Sequence, residues 1–122
     1  MWEYYNCNPL KREVNDCVVR AISLAEGKSW DETYQILSEI AQKNAIILDD
    51  TLFVEKYLNS KYEAICPKCE GYRITVKEFV KSHPKGTFLI TMKGHITCVI
   101  DGIVYDTWNC TDKLMWNAWI VG

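Results

Sequence analysis

A short segment of this 122-residue chain can hold a histidine against a carboxylate. Asp101-Gly102 divides an apolar stretch, and this pair is typical of a two-residue β-hairpin turn. Because the turn fixes the strand register and side chains alternate between faces, His95 and Asp106 are predicted to be diagonal neighbours on one face. Their backbones would lie roughly 7 Å apart, within reach of the two side chains. A carboxylate in this position fixes the histidine tautomer and stabilises the imidazolium, although a half-exposed histidine beside a surface aspartate fits the same pattern.

Cys17 occupies the predicted start of a helix, where a thiol can become a nucleophile. Residues 15–26 carry apolar side chains at helical spacing, Asn15 or Asp16 can cap the helix, and Gly27 can end it. Unpaired backbone N–H groups and the helix dipole at this position favour a thiolate, the reactive form of the side chain. A structural cysteine that packs in an apolar helix is the alternative interpretation.

The elements that must position these residues change type along the chain. Capping boxes that begin at Ser29 and Thr75 predict two more helices, the second ending before Pro84, and residues 50–58 predict a third. Strands are predicted at residues 87–92, 95–100, 103–108 and 116–121. Because helices precede antiparallel strands, we expect an α+β fold, and no repeat or linker divides residues 1–122 into more than one domain.

Composition argues against several classes of function. The net charge of −2 is unlike the basic excess of a nucleic-acid-binding surface. No apolar run approaches the roughly 20 residues of a membrane span. The N-terminal sequence lacks the pattern of a secretion signal, so we expect a cytoplasmic protein whose six cysteines are reduced. No glycine-rich phosphate loop is present, and no cofactor is expected.

Cys66 and Cys69 form a CxxC pair that resembles half of a zinc site. A structural zinc ion needs four ligands, and the sequence contains no second CxxC and no HxxxH. The set would have to be completed from distant positions, namely Cys7, Cys98, Cys110 or His83. We therefore expect no metal site. The alternative is a small zinc-stabilised interaction module built on this pair.

The order of these features resembles the papain-like cysteine peptidase superfamily, most nearly the bacteriocin-leader peptidases and related small bacterial and phage papain-fold proteins. The likeness rests on residues 15–22, NDCVVRAI, and residues 94–107, GHITCVIDGIVYDT. It implies N-terminal helices packed on a C-terminal antiparallel sheet, with Cys17 as nucleophile, His95 as base and Asp106 as the acid that orients it. It also implies that a thiolate attacks an acyl carbon of a peptide or protein substrate and forms an acyl-enzyme.

One position departs from the family pattern. Members usually carry a glutamine about six residues before the nucleophile, where it donates a hydrogen bond to the oxyanion. Lys11 occupies that position here. Asn15 or Asn8 and the backbone N–H of Cys17 can supply donors instead, and Asn15 is the side chain that we assign to this role.

The third member of the catalytic group has a rival in Asn109, because papain itself uses an asparagine. Strand parity places Asn109 on the opposite face from His95, unless the strand ends first. Asp106 is therefore the residue that we expect to orient the histidine.

Together these features predict a thiol-dependent acyl hydrolase, most simply a peptidase or amidase that uses a Cys-His-Asp triad. The alternative is a papain-fold binding or host-interaction protein that retains the same residues with little turnover. The expected partner in the first case is a peptide or protein substrate, without nucleic acid or membrane.

Overall fold

Helices and a sheet make up an α+β fold, as the sequence predicts, but the sheet is mixed where antiparallel strands alone were expected. The computed structural model describes the backbone of residues 1–65, 68–69 and 72–122 and the side chains of residues 1–65 and 73–122. The helices are α1 (Cys17–Glu26), α2 (Trp30–Lys43), α3 (Thr51–Lys61) and α4 (Val76–Ser82). The strands are β1 (Trp2–Tyr4), β2 (Glu63–Ile65), β3 (Lys68–Cys69), β4 (Tyr72–Arg73), β5 (Thr87–Met92), β6 (His95–Ile100), β7 (Ile103–Asp106) and β8 (Met115–Ile120).

The zinc hypothesis lies outside this description, because Cys66 and the side chain of Cys69 are not among the described groups. The four cysteines whose side chains are described, Cys7, Cys17, Cys98 and Cys110, are free thiols. None of the helices in the described part of the chain is long and apolar enough to cross a bilayer.

Two helices begin at the capping boxes that the sequence predicts. The side chain of Ser29 accepts from the backbone N–H of Glu32, and Thr75 does the same for Glu78. In both boxes the glutamate side chain accepts from the backbone N–H of the capping residue. The third helix, α3, runs to Lys61, three residues beyond the predicted end.

The first helix begins at Cys17, with Asp16 in the N-cap position. The prediction that Asn15 can cap this helix is therefore wrong. The Asp16 side chain makes no capping hydrogen bond either, which leaves the first backbone N–H groups of α1 without a side-chain cap. Gly27 ends the helix as predicted, in the left-handed conformation with φ of 68°.

The predicted hairpin is confirmed in position and register. Asp101 and Gly102 both have positive φ, 47° and 82°, as a type I′ turn requires. The turn pairs Ile100 with Ile103, and the ladder continues through Val99–Val104 and Cys98–Tyr105. The strand after the turn ends at Asp106, two residues earlier than predicted.

The hairpin lies inside a six-stranded sheet of order β1-β7-β6-β5-β8-β2. All neighbours are antiparallel except β1, which pairs in parallel with β7 and brings Tyr4 opposite Asp106. The sequence did not predict β1, because three residues of mostly exposed side chains carry no alternating pattern.

Helices cover both faces of this sheet. Along β5 the side chains alternate, so Leu89 joins the core beneath α1, α2 and α3, while Phe88 and Ile90 join the core beneath α4. Burial on both faces explains why Phe88, Leu89 and Ile90 are three consecutive apolar residues. Because α1 packs against β6, the first residues of both elements border one cavity.

Candidate active site

The hairpin brings His95 and Asp106 into direct contact. His95 is the first residue of β6 and Asp106 is the last residue of β7. The Nε2 atom of His95 lies 2.6 Å from Oδ2 of Asp106, and the carboxylate is buried at 1% exposure. A bond this short is typical of a charge-assisted pair. It occupies Nε2, so Nδ1 is the ring nitrogen left to act on another group.

A buried arginine holds the other oxygen of this carboxylate. Arg20, on the inner side of α1, donates from Nη1 to Oδ1 of Asp106 at 3.0 Å and from Nε to Oδ1 of Asp16 at 2.7 Å. All three side chains are nearly inaccessible to solvent. The result is an alternating chain of charges, Asp16, Arg20, Asp106 and His95, that joins the start of α1 to the hairpin.

The N-terminal segment and α2 complete the hydrogen bonds of Asp16. Its Oδ2 accepts from the side-chain amide of Asn8 at 3.2 Å and from the indole N–H of Trp30 at 3.0 Å. These bonds explain why Asp16 does not cap α1, since both of its oxygens point into the network instead. Asn8, proposed as an oxyanion donor, is therefore committed to a structural role.

The carboxylate and its neighbours stabilise the charged form of His95. Burial alone lowers the pKa of His95, but hydrogen bonding with Asp106, Cys110 and Cys17 outweighs it and raises the pKa to about 11. Burial raises the pKa of Asp106, yet the adjacent imidazole holds it below its ordinary value. The pair is therefore an imidazolium–carboxylate pair at neutral pH.

Cys17 borders the same cavity as His95. The cavity has a volume of about 200 Å³, and its wall includes Cys17 from α1, His95 and Gly94 from the β5–β6 hairpin, and residues of α3. Cys17 is half-buried, and its side chain is among the groups that raise the pKa of His95. The structure thus brings together the three residues that the sequence singled out.

Cys110 is a site neighbour that sequence analysis did not identify in this role. Its buried thiol lies 3.7 Å from Oδ2 of Asp106 and belongs to the groups that raise the pKa of His95. Cys110 follows β7 in an irregular segment, where no periodicity reports which way a side chain points. Only its separation of four residues from Asp106 could have suggested the contact.

The donor atoms of His95, Asp106 and Cys110 lie within 4.8 Å of one another, as the ligands of a bound metal ion would. Imidazole, carboxylate and thiolate are the ligand types of zinc. Arg20 and the protonated imidazole, however, already place positive charge at this point. A metal ion at this point would have to replace the imidazole proton and lie close to the guanidinium of Arg20.

Asn109 does not take the place of Asp106. Its side-chain oxygen accepts from the backbone N–H and the hydroxyl of Thr111, at 3.1 and 2.6 Å, in an exposed turn. Trp108 instead reaches the histidine, with its ring centre 4.8 Å from that of His95. A half-exposed indole in that position shields the imidazolium from water and interacts favourably with its charge.

Candidate side-chain donors for an oxyanion are less well defined than the group of Cys17, His95 and Asp106. Asn15 borders the cavity but is exposed and makes no hydrogen bond that would fix its amide among the described residues. The ammonium group of Lys11 donates to the backbone oxygen of Asn6 at 3.1 Å, so it is engaged within the N-terminal segment. The uncapped backbone N–H groups at the start of α1 are the donors closest in sequence to the Cys17 sulfur.

We expect the imidazole of His95 to stay protonated from about pH 6 to 9 in the folded protein, because its pKa is raised from an ordinary value near 6.5 to about 11. Nuclear magnetic resonance of the ring nitrogens against pH would measure this directly. Replacing Asp106 with Asn removes the charge that stabilises the imidazolium, and the titration midpoint should fall towards about 6.5. A wild-type midpoint between pH 6 and 7 would contradict the electrostatics described here.

The same shift predicts a pH dependence of stability. The folded pKa of His95 exceeds its unfolded value, so the stabilising contribution is complete below about pH 6.5 and is lost as pH rises towards about 11. The difference in free energy of unfolding between the wild type and His95→Gln should therefore narrow across this interval. Urea titrations at several pH values provide the measurement.

The arrangement contains the groups that nucleophilic acyl transfer uses. A thiol at a helix start, an imidazole within reach of it and a buried carboxylate on the far ring nitrogen are the parts that such a reaction requires. No protein-family model, curated protein or solved structure matches the chain.

Proposed function

We propose that this chain is a thiol-dependent acyl hydrolase of papain-like arrangement, most simply a peptidase or amidase. The observation that carries the proposal is the orientation of His95. Asp106 occupies its Nε2 atom at 2.6 Å, and Cys17 borders the cavity on which the ring opens. A histidine anchored in this way leaves Nδ1 for the thiol, and the charged form of His95 is the counter-ion that a thiolate requires in this mechanism.

In this mechanism the Cys17 thiolate attacks the acyl carbon of the substrate. The negative charge that develops on the carbonyl oxygen is stabilised by backbone N–H groups at the start of α1. Imidazolium Nδ1 of His95 then gives its proton to the leaving amine, and the C–N bond breaks to leave a thioester on Cys17. Neutral His95 removes a proton from water, the resulting hydroxide equivalent attacks the thioester, and the free acid leaves as the imidazolium and thiolate are restored. Asp106 holds the ring throughout.

The activation of Cys17 can be tested before any substrate is known. Iodoacetamide alkylation, followed peptide by peptide with mass spectrometry, should modify Cys17 fastest. His95→Ala should slow that reaction on the order of tenfold or more, because the thiolate loses its counter-charge. Cys7 is a matched internal control, since its thiol is also half-buried and does not border the cavity.

Two results would refute the proposal. The first is alkylation of Cys17 at the rate of Cys7. The second is a fast reaction at Cys17 that does not change in the His95→Ala variant. Circular dichroism of each variant separates a loss of activation from a loss of structure.

The second candidate function is a papain-fold binding protein without efficient turnover. It is favoured by one observation, the lack of a fixed side-chain oxyanion donor among the described residues: Lys11 is engaged by Asn6 and Asn15 is exposed. In that case Cys17 would alkylate rapidly, yet no acyl-enzyme would be detected by intact mass after incubation with peptide thioesters or activated esters. Accumulation of an acyl adduct on Cys17 would exclude this candidate.

A further inference from the structure

The cavity beside Cys17 carries negative charge on its α3 side. Its wall includes the carboxylates of Asp49, just before α3, and Glu55, on the second turn of that helix. No lysine or arginine is among the lining residues of the described chain. The cationic group of the cavity is the imidazolium of His95, which is already paired with Asp106.

Both carboxylates are free to bind a group from outside. Neither Asp49 nor Glu55 forms an ion pair with another described residue. The buried acids elsewhere in the structure behave differently: Asp16, Glu26 and Asp106 each contact a basic side chain. An unpaired carboxylate on a cavity wall raises the local concentration of cations and attracts a positively charged ligand.

The remaining wall suits the stem of a long side chain. Val54, Met92 and Trp116 contribute apolar surface to the cavity that the carboxylates and the thiol also border. A volume of about 200 Å³ is below the range of pockets for drug-sized ligands and fits one extended side chain. Lysine and arginine combine an apolar stem with a charged tip. The apolar wall of the cavity can bind the stem, and its carboxylates can bind the tip.

We propose that Asp49 and Glu55 select substrates with a lysine or arginine side chain next to the acyl group that Cys17 attacks. This inference rests on the proposed function, because selection of a substrate requires that Cys17 attack it. The recognition itself is electrostatic: the cationic tip pairs with the two carboxylates, and the stem packs on Val54 and Trp116. Because Cys17 borders the same cavity, a side chain bound there positions its own or the neighbouring carbonyl at the sulfur.

Charged thiol reagents test the charge of the cavity without requiring turnover. A methanethiosulfonate transfers its alkylthio group to the Cys17 thiolate: an S–S bond forms to the protein and methanesulfinate leaves with the electron pair. The trimethylammonium-ethyl reagent should react faster than the sulfonato-ethyl reagent, on the order of tenfold after correction for their intrinsic rates. The Asp49→Asn/Glu55→Gln double variant should lose most of that preference.

Glu63→Gln provides the matched control, since Glu63 is an exposed carboxylate on β2 that does not line the cavity. This variant should retain the wild-type ratio of rates. An unchanged ratio in the double variant would overturn the inference, whereas the response of Cys17 to His95→Ala would still decide the proposed function.

Peptide amides that differ only in one side chain test selection during turnover. Arginine, its neutral isostere citrulline, and glutamate would be compared at the residue that contributes the acyl group and at the residue before it. We expect the arginine peptide to exceed the citrulline peptide in kcat/KM on the order of tenfold, and the double variant to abolish the difference. Equal rates for arginine and citrulline at both positions would overturn the inference, while absence of turnover on every peptide would count against the proposed function alone.

Discussion

Replacing Cys17 with Ser is expected to lower kcat/KM by about a thousandfold or more, with little change in stability. Removal of a covalent nucleophile has an effect of this order or larger, because the hydroxyl is a far weaker nucleophile near neutral pH. Cys17 is only half-buried at the first position of α1, and serine has nearly the same size. The unfolding midpoint should therefore shift by no more than a few degrees, since roughly 1 kcal/mol corresponds to about 4–8 °C in a small domain.

The change in kcat/KM is measured with an activated ester or peptide that forms an acyl adduct on the wild-type protein. Cys7→Ser is the control for a thiol outside the cavity, and it should retain full activity. If Cys17→Ser kept half of the wild-type rate while Cys110→Ser lost it, the nucleophile would be Cys110. The buried position of Cys110, against Asp106 and away from the cavity wall, makes us expect the opposite.

The part of the site that sequence predicts most directly is the His95–Asp106 pair. Its geometry follows from local rules, because a two-residue turn at Asp101-Gly102 allows only one register, and the register determines which side chains share a face. The capping boxes at Ser29 and Thr75 are similarly local, and both helices begin where those residues predict. The hairpin and these two helix starts depend on a few adjacent residues, and they were predicted correctly.

Tertiary contacts between distant residues were not predictable in the same way. Arg20 and Asp106 are 86 positions apart, and nothing near either residue indicates that they pair. One local signal was present: Arg20 interrupts the apolar face of α1, and Asp16 lies one helical turn before it. A basic residue on a buried helix face needs a partner, so this spacing could have suggested a structural ion pair instead of a cap.

The start of α1 shows how one contact displaces another. Sequence alone favours Asn15 or Asp16 as a side-chain cap, since both residue types prefer this position. In the structure, Asp16 turns inward to Arg20 and Trp30, because an ion pair with a buried guanidinium is stronger than a hydrogen bond from a backbone N–H. The helix start stays uncapped as a consequence, and its N–H groups remain available near Cys17.

Removing the Asp106 side chain should have the largest effect on stability among the site variants. Asp106→Ala leaves the Nη1 group of Arg20 without its carboxylate partner and removes the partner of His95 Nε2. Arg20 remains paired with Asp16, but it stays buried at 6% exposure with less compensation for its lost hydration. Breaking a buried ion pair by removing one partner typically costs about 3–5 kcal/mol of unfolding free energy.

Asp112→Ala is the matched control, because Asp112 also forms an ion pair, with Lys77 at 3.7 Å, but its side chain is 84% exposed. Solvent-exposed pairs contribute about 0–1 kcal/mol, so this variant should unfold almost as the wild type does. Urea unfolding of both variants, analysed with equal m-values, gives the comparison. If Asp106→Ala lay within about 1 kcal/mol of Asp112→Ala, the chain of charges from Asp16 to His95 would not contribute to folding as described.

Asp106→Asn separates the two functions of the carboxylate. The amide keeps an oxygen for Arg20 and a similar volume, so its cost in stability should be smaller than that of Asp106→Ala. It removes the charge that stabilises the imidazolium, so alkylation of Cys17 should slow as much as in His95→Ala. A variant that folds well and has lost activation of Cys17 would show that the carboxylate acts on the histidine by its charge. If the Asp106→Asn protein were instead alkylated at the wild-type rate, the role of Asp106 would be restricted to holding α1 against the hairpin through Arg20. The activation of Cys17 would then not depend on a charged histidine.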